Sequence, residues 1–366
     1  MRLAINATTV SKLHNGITTF VDGIVQYLGS HGHELLVYTS AERYANLAGV
    51  TLRRTPEALA FNGSAANNFR RFAWTQAVLP SRLKRDRVDL FFSPVEGLLH
   101  SPVPQVVAVH DLIPLFYPVE CPRLHHYYKR VLPYILKGSA RAVVPSQHTK
   151  SDLIDRYNLP EDKVSVVYYG LRAELFDADA DSRPACLEAA RFFLFVGSFA
   201  PRKNLETVVR AFATIHAEVP ERLVVVAYPD ERQQTIRELA KSLNVLDKLA
   251  FCSGLSNSEL AYLYRHATGL LLLSEYEGFG YPPLEAMATR TPAIVSDSTS
   301  LAEVVGDAGI TGACRDFEAA AAAMRRLSRE QLYRELLGKT GEARARQFTW
   351  LNTAKQLSDA LVTACS

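Results

Sequence analysis

The sequence lacks several features that would assign a protein to a class at once. Its 366 residues contain no apolar run near the roughly 18 residues that a membrane-spanning helix needs. The opening residues, MRLAINATTV, are typical of a short strand and not of a secretory signal peptide. The five cysteines are far apart and include no C-x-x-C pair. This scattering argues against a disulfide framework and a zinc site, and it indicates a reducing cytoplasm.

Several nucleotide-binding and catalytic motifs are also missing. The stretch GFGYPP (278–283) begins like the dinucleotide-binding motif G-x-G-x-x-G but lacks the third glycine, so a nicotinamide-dependent dehydrogenase is unsupported. The chain contains neither the phosphate-binding G-x-x-x-x-G-K-[ST] nor the nucleophile elbow G-x-S-x-G. It has no zinc-finger or RNA-binding signature, and its net charge is only +3, so we expect no nucleic-acid partner.

Short apolar strands alternate with helical segments along almost the whole chain. This pattern predicts an α/β protein of two doubly wound, Rossmann-like domains, 1–172 and 191–348, which face each other across a cleft at the carboxyl ends of their strands. The polar stretch 173–190 is predicted to be a linker, and its D-A-D-A-D run (177–181) a solvated acidic loop and not a metal site. The predicted strands are 2–7, 34–39, 89–93, 105–110, 140–146, 164–170, 191–197, 222–228, 248–254, 269–274 and 291–297.

The stretch SEYEGFGYPPLEAMA (274–288) combines a turn with three carboxylates. The apolar run before it is too short for a helix and predicts a buried strand. Gly278 and Gly280 permit a tight turn, and the prolines that follow suit the first turn of a helix. A helix start of this kind favours an anion, because its N–H groups and the positive end of its dipole face outward. The acidic side chains could then cap the helix, or they could hold the hydroxyls of a ligand whose phosphates contact the amides.

Three other candidate positions follow predicted strands. In FLFVGSFAPRKN, Arg202 and Lys203 precede a predicted helix, where two cations are unfavourable unless an anion joins them. In VAVHDLIP, His110 ends a buried strand, where α/β sheets place ligand groups, although a structural histidine is an equally open interpretation. In HNG, Gly16 precedes a helix and is either part of a phosphate cradle or an ordinary helix start.

As a set, these motifs resemble those of the retaining glycosyltransferases of family 4, which have the GT-B fold. The resemblance is carried by the spacing of Glu277 and Glu285 around GFGYPPL, by PRKN and HDLIP after two strands, and by NG near the N-terminus. It covers nearly the whole chain, including the closing FTWLNTAKQLSDAL. It therefore implies a GT-B fold in which a C-terminal helix at 350–366 packs back on the first domain.

The resemblance implies roles for the residues around the glycine turn. Glu285 would hold the hydroxyls of the donor ribose. Glu277 would hold hydroxyls of the transferred sugar, together with the backbone of Gly278, Phe279 and Gly280. These roles would explain why carboxylates flank a stretch that otherwise favours an anion.

The resemblance also implies roles for the cationic and N-terminal positions. Lys203 matches the lysine that neutralises the diphosphate, with Arg202 beside it. His110 matches the histidine at the sugar, and Gly16 the loop that meets the phosphates. Many members carry an arginine after the glycine of the VG strand end, where this chain has Ser198. Neutralisation of the diphosphate must then depend more on the two other cations and on helix dipoles.

The reaction implied is transfer of a sugar from a nucleoside-diphosphate sugar, with His110, Lys203 and Glu277 as catalytic residues and with no cofactor or metal. HDLIPLFYP most resembles members that use GDP-mannose or a related deoxysugar to build bacterial surface polysaccharide, although UDP- and dTDP-sugar users share the scaffold. The acceptor would be a saccharide or a lipid-linked oligosaccharide. Residues at strand ends of the second domain are predicted to read the base: Ser253, Gly254, Leu255 and Tyr228.

Two other functions stay open at this point. The chain could be a sugar-nucleotide epimerase on the same fold, or a non-catalytic sugar-binding protein of two lobes. Its charge is uneven, with +6 over residues 1–176 and −3 over residues 177–366. The basic segment 67–89 is either a solvated, partly core-facing helix or a peripheral contact with the inner face of an anionic membrane. Its cations are Arg70, Arg71, Arg82, Lys84, Arg85 and Arg87.

Overall fold

The computed structural model divides the chain into two compact units. One unit consists of Met1–Gly170 and Phe348–Ser366, and the other of Leu171–Gln347. The predicted acidic run at 177–181 and most of the linker predicted at 173–190 lie outside the described residues. The structure describes residues 1–10, 16–29, 32–62, 64–95, 97–172, 182–187 and 191–365.

A seven-stranded parallel sheet forms the centre of the first unit. Its strands are β1 Arg2–Asn6, β2 Glu34–Thr39, β3 Val50–Arg54, β4 Leu90–Ser93, β5 Gln105–Ala108, β6 Arg141–Val144 and β7 Val164–Val166. Their order across the sheet is β3-β2-β1-β4-β5-β6-β7, with Ile5 of β1 beside Val37 and Phe92 of its two neighbours. The central strands are apolar and buried, as expected where helices cover both faces of a parallel sheet.

Helices follow most of these strands. In α1, Phe20, Ile24 and Leu28 recur every four residues, lie on one side of the helix and are buried. The helices before the unit boundary are α1 Gly16–Leu28, α2 Ala65–Ala77, α3 Leu79–Arg85, α4 Ile113–Phe116, α5 Pro122–Arg130, α6 Leu132–Gly138 and α7 Gln147–Tyr157.

The second unit is built around a six-stranded parallel sheet. Its strands are β8 Phe192–Val196, β9 Arg222–Val226, β10 Leu249–Cys252, β11 Gly269–Leu272, β12 Ala293–Ser296 and β13 Ile310–Gly312. Their order is β10-β9-β8-β11-β12-β13. Its helices are α8 Leu205–Ile215, α9 Arg232–Ser242, α10 Asn257–His266, α11 Tyr281–Ala288, α12 Ser300–Val305, α13 Phe317–Arg329 and α14 Gln331–Ala345.

The last helix, α15 (Trp350–Thr363), belongs to the first unit. Its Thr353 hydroxyl donates to the Tyr168 carbonyl at 2.8 Å, and the Tyr168 N–H donates to the Gln356 side chain at 2.9 Å. The Trp350 ring lies so close to Gly23 of α1 that a Cβ at Gly23 would have no room. The C-terminal helix is therefore fixed to the first unit by hydrogen bonds and by close packing.

The two sheets confirm the fold class predicted from the sequence. Each predicted strand forms, usually one to three residues shorter than its apolar run. The sequence did not predict β3 and β13, each of which lies at one edge of its sheet. Both are partly exposed, so neither has the continuous apolar run that marks a buried strand. Of the described helices, none is long and apolar enough to cross a bilayer.

The prediction that the cysteines form no disulfide is wrong for one pair. Cys186 and Cys252 are 66 residues apart in the sequence, but they form a disulfide with their Cα atoms 5.6 Å apart. Wide spacing along the chain gave no hint of this, because the fold brings residue 186 to the end of β10. Cys252 is buried, and the bond attaches the described residues 182–187 to this strand.

Candidate functional site

Four loops of the second unit leave the same edge of its sheet. Because neighbouring strands are parallel, the loops after β10, β9, β8 and β11 lie side by side in that order. They carry in turn Ser253, Tyr228, Lys203 and Glu277. Adjacent strands are about 4.8 Å apart, so the strand that leads to the predicted base contacts is roughly 14 Å from the strand that leads to the predicted sugar contact. Ligands of α/β sheets bind at this carboxyl edge.

The glycine turn between β11 and α11 has a backbone that only glycine adopts easily. Gly280 has a φ of 119°, and a Cβ there would lie 2.5 Å from a methyl carbon of Leu301. The Ser300 hydroxyl is 2.8 Å from the Glu277 carbonyl and 2.9 Å from the Phe279 carbonyl, and it donates to them. Helix α11 then starts at Tyr281 with two prolines in its first turn. The turn therefore holds Gly278, like its neighbours, in a fixed and buried position.

Glu277 contacts both cations of the PRKN segment. Its carboxylate forms an ion pair with the Lys203 ammonium, accepts a hydrogen bond from the Ser274 hydroxyl at 2.7 Å and lies 3.8 Å from the Arg202 guanidinium. Burial by itself would raise the pKa of Glu277, but Lys203 and Arg202 outweigh it and hold the pKa below its ordinary value. Glu277 is therefore ionised at neutral pH. The anion that these two cations require is supplied by the protein itself.

Asn204 fixes the segment that carries these cations. It caps α8 in the left-handed conformation, with a φ of 53°. Its side-chain amide donates to the carbonyl of Leu273 at 3.0 Å and to that of Cys314, while its oxygen accepts from the Thr207 hydroxyl at 2.7 Å. These bonds attach the loop after β8 to the ends of β11 and β13. Lys203 therefore faces Glu277 from a rigid loop.

Glu285, on α11, is buried, with only 2% of its surface exposed. One carboxylate oxygen accepts a hydrogen bond from Nε of the Arg172 guanidinium at 2.7 Å and lies 2.6 Å from its Nη2, so the two side chains form an ion pair. The other oxygen accepts from the Tyr264 hydroxyl at 2.7 Å. Burial and the carboxylate together raise the pKa of Tyr264 well above its ordinary value. The carboxylate predicted to hold ribose is thus bonded to protein groups on both oxygens.

The remaining predicted residues of the second unit lie farther along this edge. Ser253 and Gly254 are exposed directly after β10, and Gly254 has a φ of 65° with open space around it. Leu255 is half-buried, and the Tyr228 ring on the neighbouring strand end is 80% exposed. An exposed aromatic ring next to an exposed turn provides a surface on which a base can stack. The third carboxylate of the glycine stretch, Glu275, has a different role, because it accepts from Arg315 at 2.6 and 3.1 Å.

In the first unit, His110 follows β5 and is bonded at both ring nitrogens. The Pro94 carbonyl can only accept, so Nε2 carries the proton and donates to it, while Nδ1 accepts from the Tyr169 hydroxyl. The Phe20 ring packs edge-on against the imidazole, with ring centroids 5.4 Å apart. Burial lowers the pKa of His110 to about 4. His110 is therefore neutral at physiological pH and held in one tautomer.

Gly16 is the first residue of α1 and is exposed, whereas its neighbour Asn15 lies outside the described residues. In the described ranges, no group of three or more His, Cys, Asp and Glu side chains is close enough to hold a metal ion.

Sequence reasoning missed three residues that hold the predicted ones in place: Arg172, Tyr264 and Tyr169. Each makes its contact across 21 to 113 residues, a separation at which no local motif marks a partner.

Comparison with known proteins identifies the class. Residues 14–175 match the family described as Glycosyltransferase Family 4, and residues 181–344 match Glycosyl transferases group 1. The chain belongs to these glycosyltransferases, whose two sheets of parallel strands form a GT-B fold. O-antigen chain mannosyltransferase B of Escherichia coli is 28% identical over 75% of both chains. O-antigen chain mannosyltransferase RfbU of Salmonella typhimurium is 29% identical over 55% of this chain and 54% of its own length.

Solved structures show the same fold at lower identity. Sucrose-phosphate synthase from Thermosynechococcus elongatus superposes with a TM-score of 0.77 and 20% identity, over 98% of this chain and 97% of its own. WaaG, a glycosyltransferase involved in lipopolysaccharide biosynthesis, has a TM-score of 0.70 and 16% identity, over 98% and 99%. Anabaena HepE in complex with UDP and glucose has a TM-score of 0.72 and 14% identity, over 99% and 100%. The predicted GT-B fold is thereby confirmed.

Proposed function

We propose that this chain transfers a sugar from a nucleoside-diphosphate donor to a saccharide or lipid-linked acceptor, with retention of configuration and without a metal ion. The observation that carries this proposal is the contact of Lys203 and Arg202 with Glu277 at the N-terminal end of α11. A donor diphosphate would give the two cations a second anion. Its sugar hydroxyls would give Glu277 new hydrogen-bond donors. The diphosphate and the sugar of the donor would thus contact the same ion pair.

The charge that develops in the reaction fits these residues. When the bond between the anomeric carbon and the diphosphate breaks, its electron pair passes to the leaving phosphate oxygen. Lys203, Arg202 and the positive end of α11 would stabilise this charge. The acceptor oxygen would bond to the anomeric carbon on the face that the diphosphate leaves, and its proton would pass to the leaving phosphate oxygen. In this scheme Glu277 orients the sugar and Lys203, and protein cations neutralise the leaving group.

We further propose that the donor is GDP-mannose and that the product enters bacterial surface polysaccharide. Support comes from the relatives whose names describe O-antigen chain mannosyltransferases. The exposed Tyr228 ring and the turn at Ser253 and Gly254 would receive the base. Because HepE is solved with UDP and glucose, UDP-glucose is the competing donor that an experiment must include.

We also propose a peripheral membrane contact, at the cytoplasmic face, through which a lipid-linked acceptor reaches the first unit. The cations of the segment 67–89 differ in their surroundings. Arg71 is buried, and Arg82 lies over the Trp74 ring and donates to the Arg54 carbonyl at 2.9 Å. The exposed Phe69 and Arg70 lie on α2, whereas the exposed Lys84 and Arg85 lie on α3. These exposed cations are therefore divided between two helices, and Arg70 is the one that follows the exposed Phe69.

A better candidate surface surrounds α5, a helix that buries none of its residues. The Phe72 ring of α2 contacts the Tyr127 ring of α5 with centroids 6.1 Å apart, and Phe69, three residues earlier, shares its helix face. His125 of α5 contacts the Pro114 carbonyl of α4 at 2.9 Å. We call this surface the α5 face. It consists of the exposed residues Phe69, Phe116, Val119, Leu124 and Tyr134 with the cations Arg123, Lys129 and Arg130.

A donor screen tests the proposed reaction. The purified protein is incubated with GDP-mannose, UDP-glucose or a dTDP-hexose, and release of nucleoside diphosphate is measured with and without a saccharide acceptor. We expect release from GDP-mannose, a product with the donor's anomeric configuration by NMR, and no effect of EDTA. Folded protein that releases nothing from any donor contradicts sugar transfer. Conversion of a donor to an isomeric sugar nucleotide without acceptor would instead identify an epimerase.

A further inference from the structure

The protein already satisfies most of the hydrogen-bonding capacity of Glu285. A carboxylate has about four lone-pair positions for hydrogen bonds. The Arg172 guanidinium covers one oxygen, with a hydrogen bond from Nε and with Nη2 2.6 Å away, and the Tyr264 hydroxyl donates to the other oxygen. The residue is only 2% exposed, so these protein groups leave little of the carboxylate open to a ligand. Two ribose hydroxyls cannot bond to Glu285 while both protein donors stay in place.

Arg172 is the partner that can leave more easily. Tyr264 is fully buried in α10, and its hydroxyl lies in the interior of the unit. The Arg172 side chain is 25% exposed, so its guanidinium has a path to solvent. An arginine that leaves the carboxylate keeps its charge and regains hydration. A fully buried tyrosine hydroxyl would lose a charged acceptor without gaining contact with water.

We propose that Arg172 is an internal competitor for Glu285, and that the donor ribose binds by displacing its guanidinium. This inference rests on the proposed function, which assigns Glu285 to the ribose. In the free enzyme, Arg172 neutralises a buried carboxylate that would otherwise be costly to keep ionised. When the donor binds, the ribose hydroxyls replace the guanidinium. Arg172 is therefore a positioning residue that acts through Glu285 and sets the affinity for the nucleotide.

Calorimetry with GDP and UDP tests the competition directly. Because the competitor is lost, we expect Arg172→Gln to bind the preferred nucleotide about fivefold to tenfold more tightly than the wild type. Arg172→Lys can make fewer hydrogen bonds to Glu285, so its nucleotide affinity should lie between those of the wild type and of Arg172→Gln. The gain should shrink for the 2′-deoxy nucleotide, because that ligand offers Glu285 one hydroxyl fewer. In steady-state assays, KM for the donor should fall while kcat changes little.

A double-mutant cycle separates competition from a general change in the fold. In a Glu285→Gln background, Arg172→Gln should no longer raise the affinity for nucleotide. Arg290→Gln serves as the matched control, because Arg290 donates to Glu342 of the same unit at 2.7 Å in an ordinary surface pair. This control should leave nucleotide affinity unchanged. Thermal melting verifies that every variant is folded.

The outcomes distinguish this inference from the proposed function. If Glu285→Ala leaves nucleotide affinity unchanged in folded protein, the assignment of Glu285 to the ribose fails, and the inference fails with it. If Glu285→Ala weakens binding but folded Arg172→Gln binds nucleotide no more tightly than the wild type, only the competition is overturned. A gain of equal size in both Glu285 backgrounds would also overturn it.

Discussion

Lys203 and Glu277 are 74 residues apart in the sequence, yet their side chains form an ion pair at the carboxyl edge of the second sheet. The sequence motifs assigned these two residues to different parts of a donor, one to the diphosphate and one to the sugar. Their contact means that a change at either residue also alters the other. A substitution of Lys203 or of Glu277 therefore also leaves the other residue without this ion-pair partner.

Replacing Glu277 by Gln removes the internal anion but keeps the size of the side chain. Lys203 and Arg202 then no longer face a protein carboxylate at this position, so affinity for GDP should be equal to or greater than that of the wild type. Turnover should fall on the order of 10²-fold, because the sugar loses its charged acceptor and Lys203 its orientation. Calorimetry and a steady-state assay measure the two effects. A folded variant that binds GDP more weakly would show that Glu277 holds the nucleotide and not the sugar.

Replacing Lys203 by Ala should lower turnover on the order of 10²-fold or more, because leaving-group charge loses its nearest cation. Unlike the change at Glu277, this one should also weaken GDP binding, since the diphosphate loses an ion pair. Lys241, exposed on α9, provides the control, and Lys241→Ala should leave both quantities unchanged. A Lys203 variant that turns over near the wild-type rate would exclude the proposed leaving-group site.

Much of the fold could be predicted because its strands are short, apolar and buried. Runs such as the one in β11 are too short for a helix and are typical of strands in a parallel sheet covered on both faces. The edge strands β3 and β13 were missed because they are partly exposed and carry polar residues or glycine in place of a continuous apolar run. The sequence also correctly marked a strand, a glycine turn and a helix start at the position where Gly280 has a positive φ. Patterns of this kind are local, and local sequence determines them.

The partners of the site residues could not be predicted, because tertiary packing chooses them. His110 bonds to Tyr169 across 59 residues, and Glu285 bonds to Arg172 across 113. Arg172 lies at the start of a polar stretch that resembles a linker. Nothing about its neighbours in the sequence indicates that it would reach a buried carboxylate. The roles of His110 and Glu285 toward a donor stay predictions until the variants are measured.

The neutral state of His110 predicts a pH dependence of stability. Its pKa in the folded protein is about 4, below the ordinary value of 6.5, so the unfolded chain binds more protons than the folded one between these values. The stability that the neutral histidine contributes should therefore be fully present above pH 6.5 and should be lost as the pH falls towards 4. The contribution of this residue should decrease by about 2 kcal/mol between pH 7 and pH 5.

Urea unfolding of the wild type and of His110→Gln at pH 7 and pH 5 measures this contribution. Because other groups titrate in both proteins, the difference between the two proteins isolates the histidine. The wild type should lose about 2 kcal/mol more than the variant over this range. An equal loss in both would mean that His110 is not held neutral in the folded protein.

The α5 face predicts which cations bind a membrane. Basic residues near an anionic leaflet contribute roughly 1 kcal/mol each, and exposed apolar side chains insert at the interface. Vesicles that contain phosphatidylglycerol should sediment the protein at low salt and release it at high salt. The triple variant Arg123→Ser/Lys129→Ser/Arg130→Ser should lose this binding while it retains hydrolysis of the donor. The control triple variant changes exposed cations of the segment 67–89, which are Lys84, Arg85 and Arg87.

The two triple variants remove the same charge from different parts of the first unit, so a purely nonspecific attraction would weaken equally in both. We expect the control variant to keep most of the wild-type binding, because its cations are not part of the α5 face. The reverse result, with binding lost only in the control variant, would mean that the cations of the segment 67–89 contact the membrane. If the wild-type protein does not bind anionic vesicles at low salt, the proposed membrane contact is wrong and α5 is a solvated helix. The acceptor would then have to reach the first unit from solution.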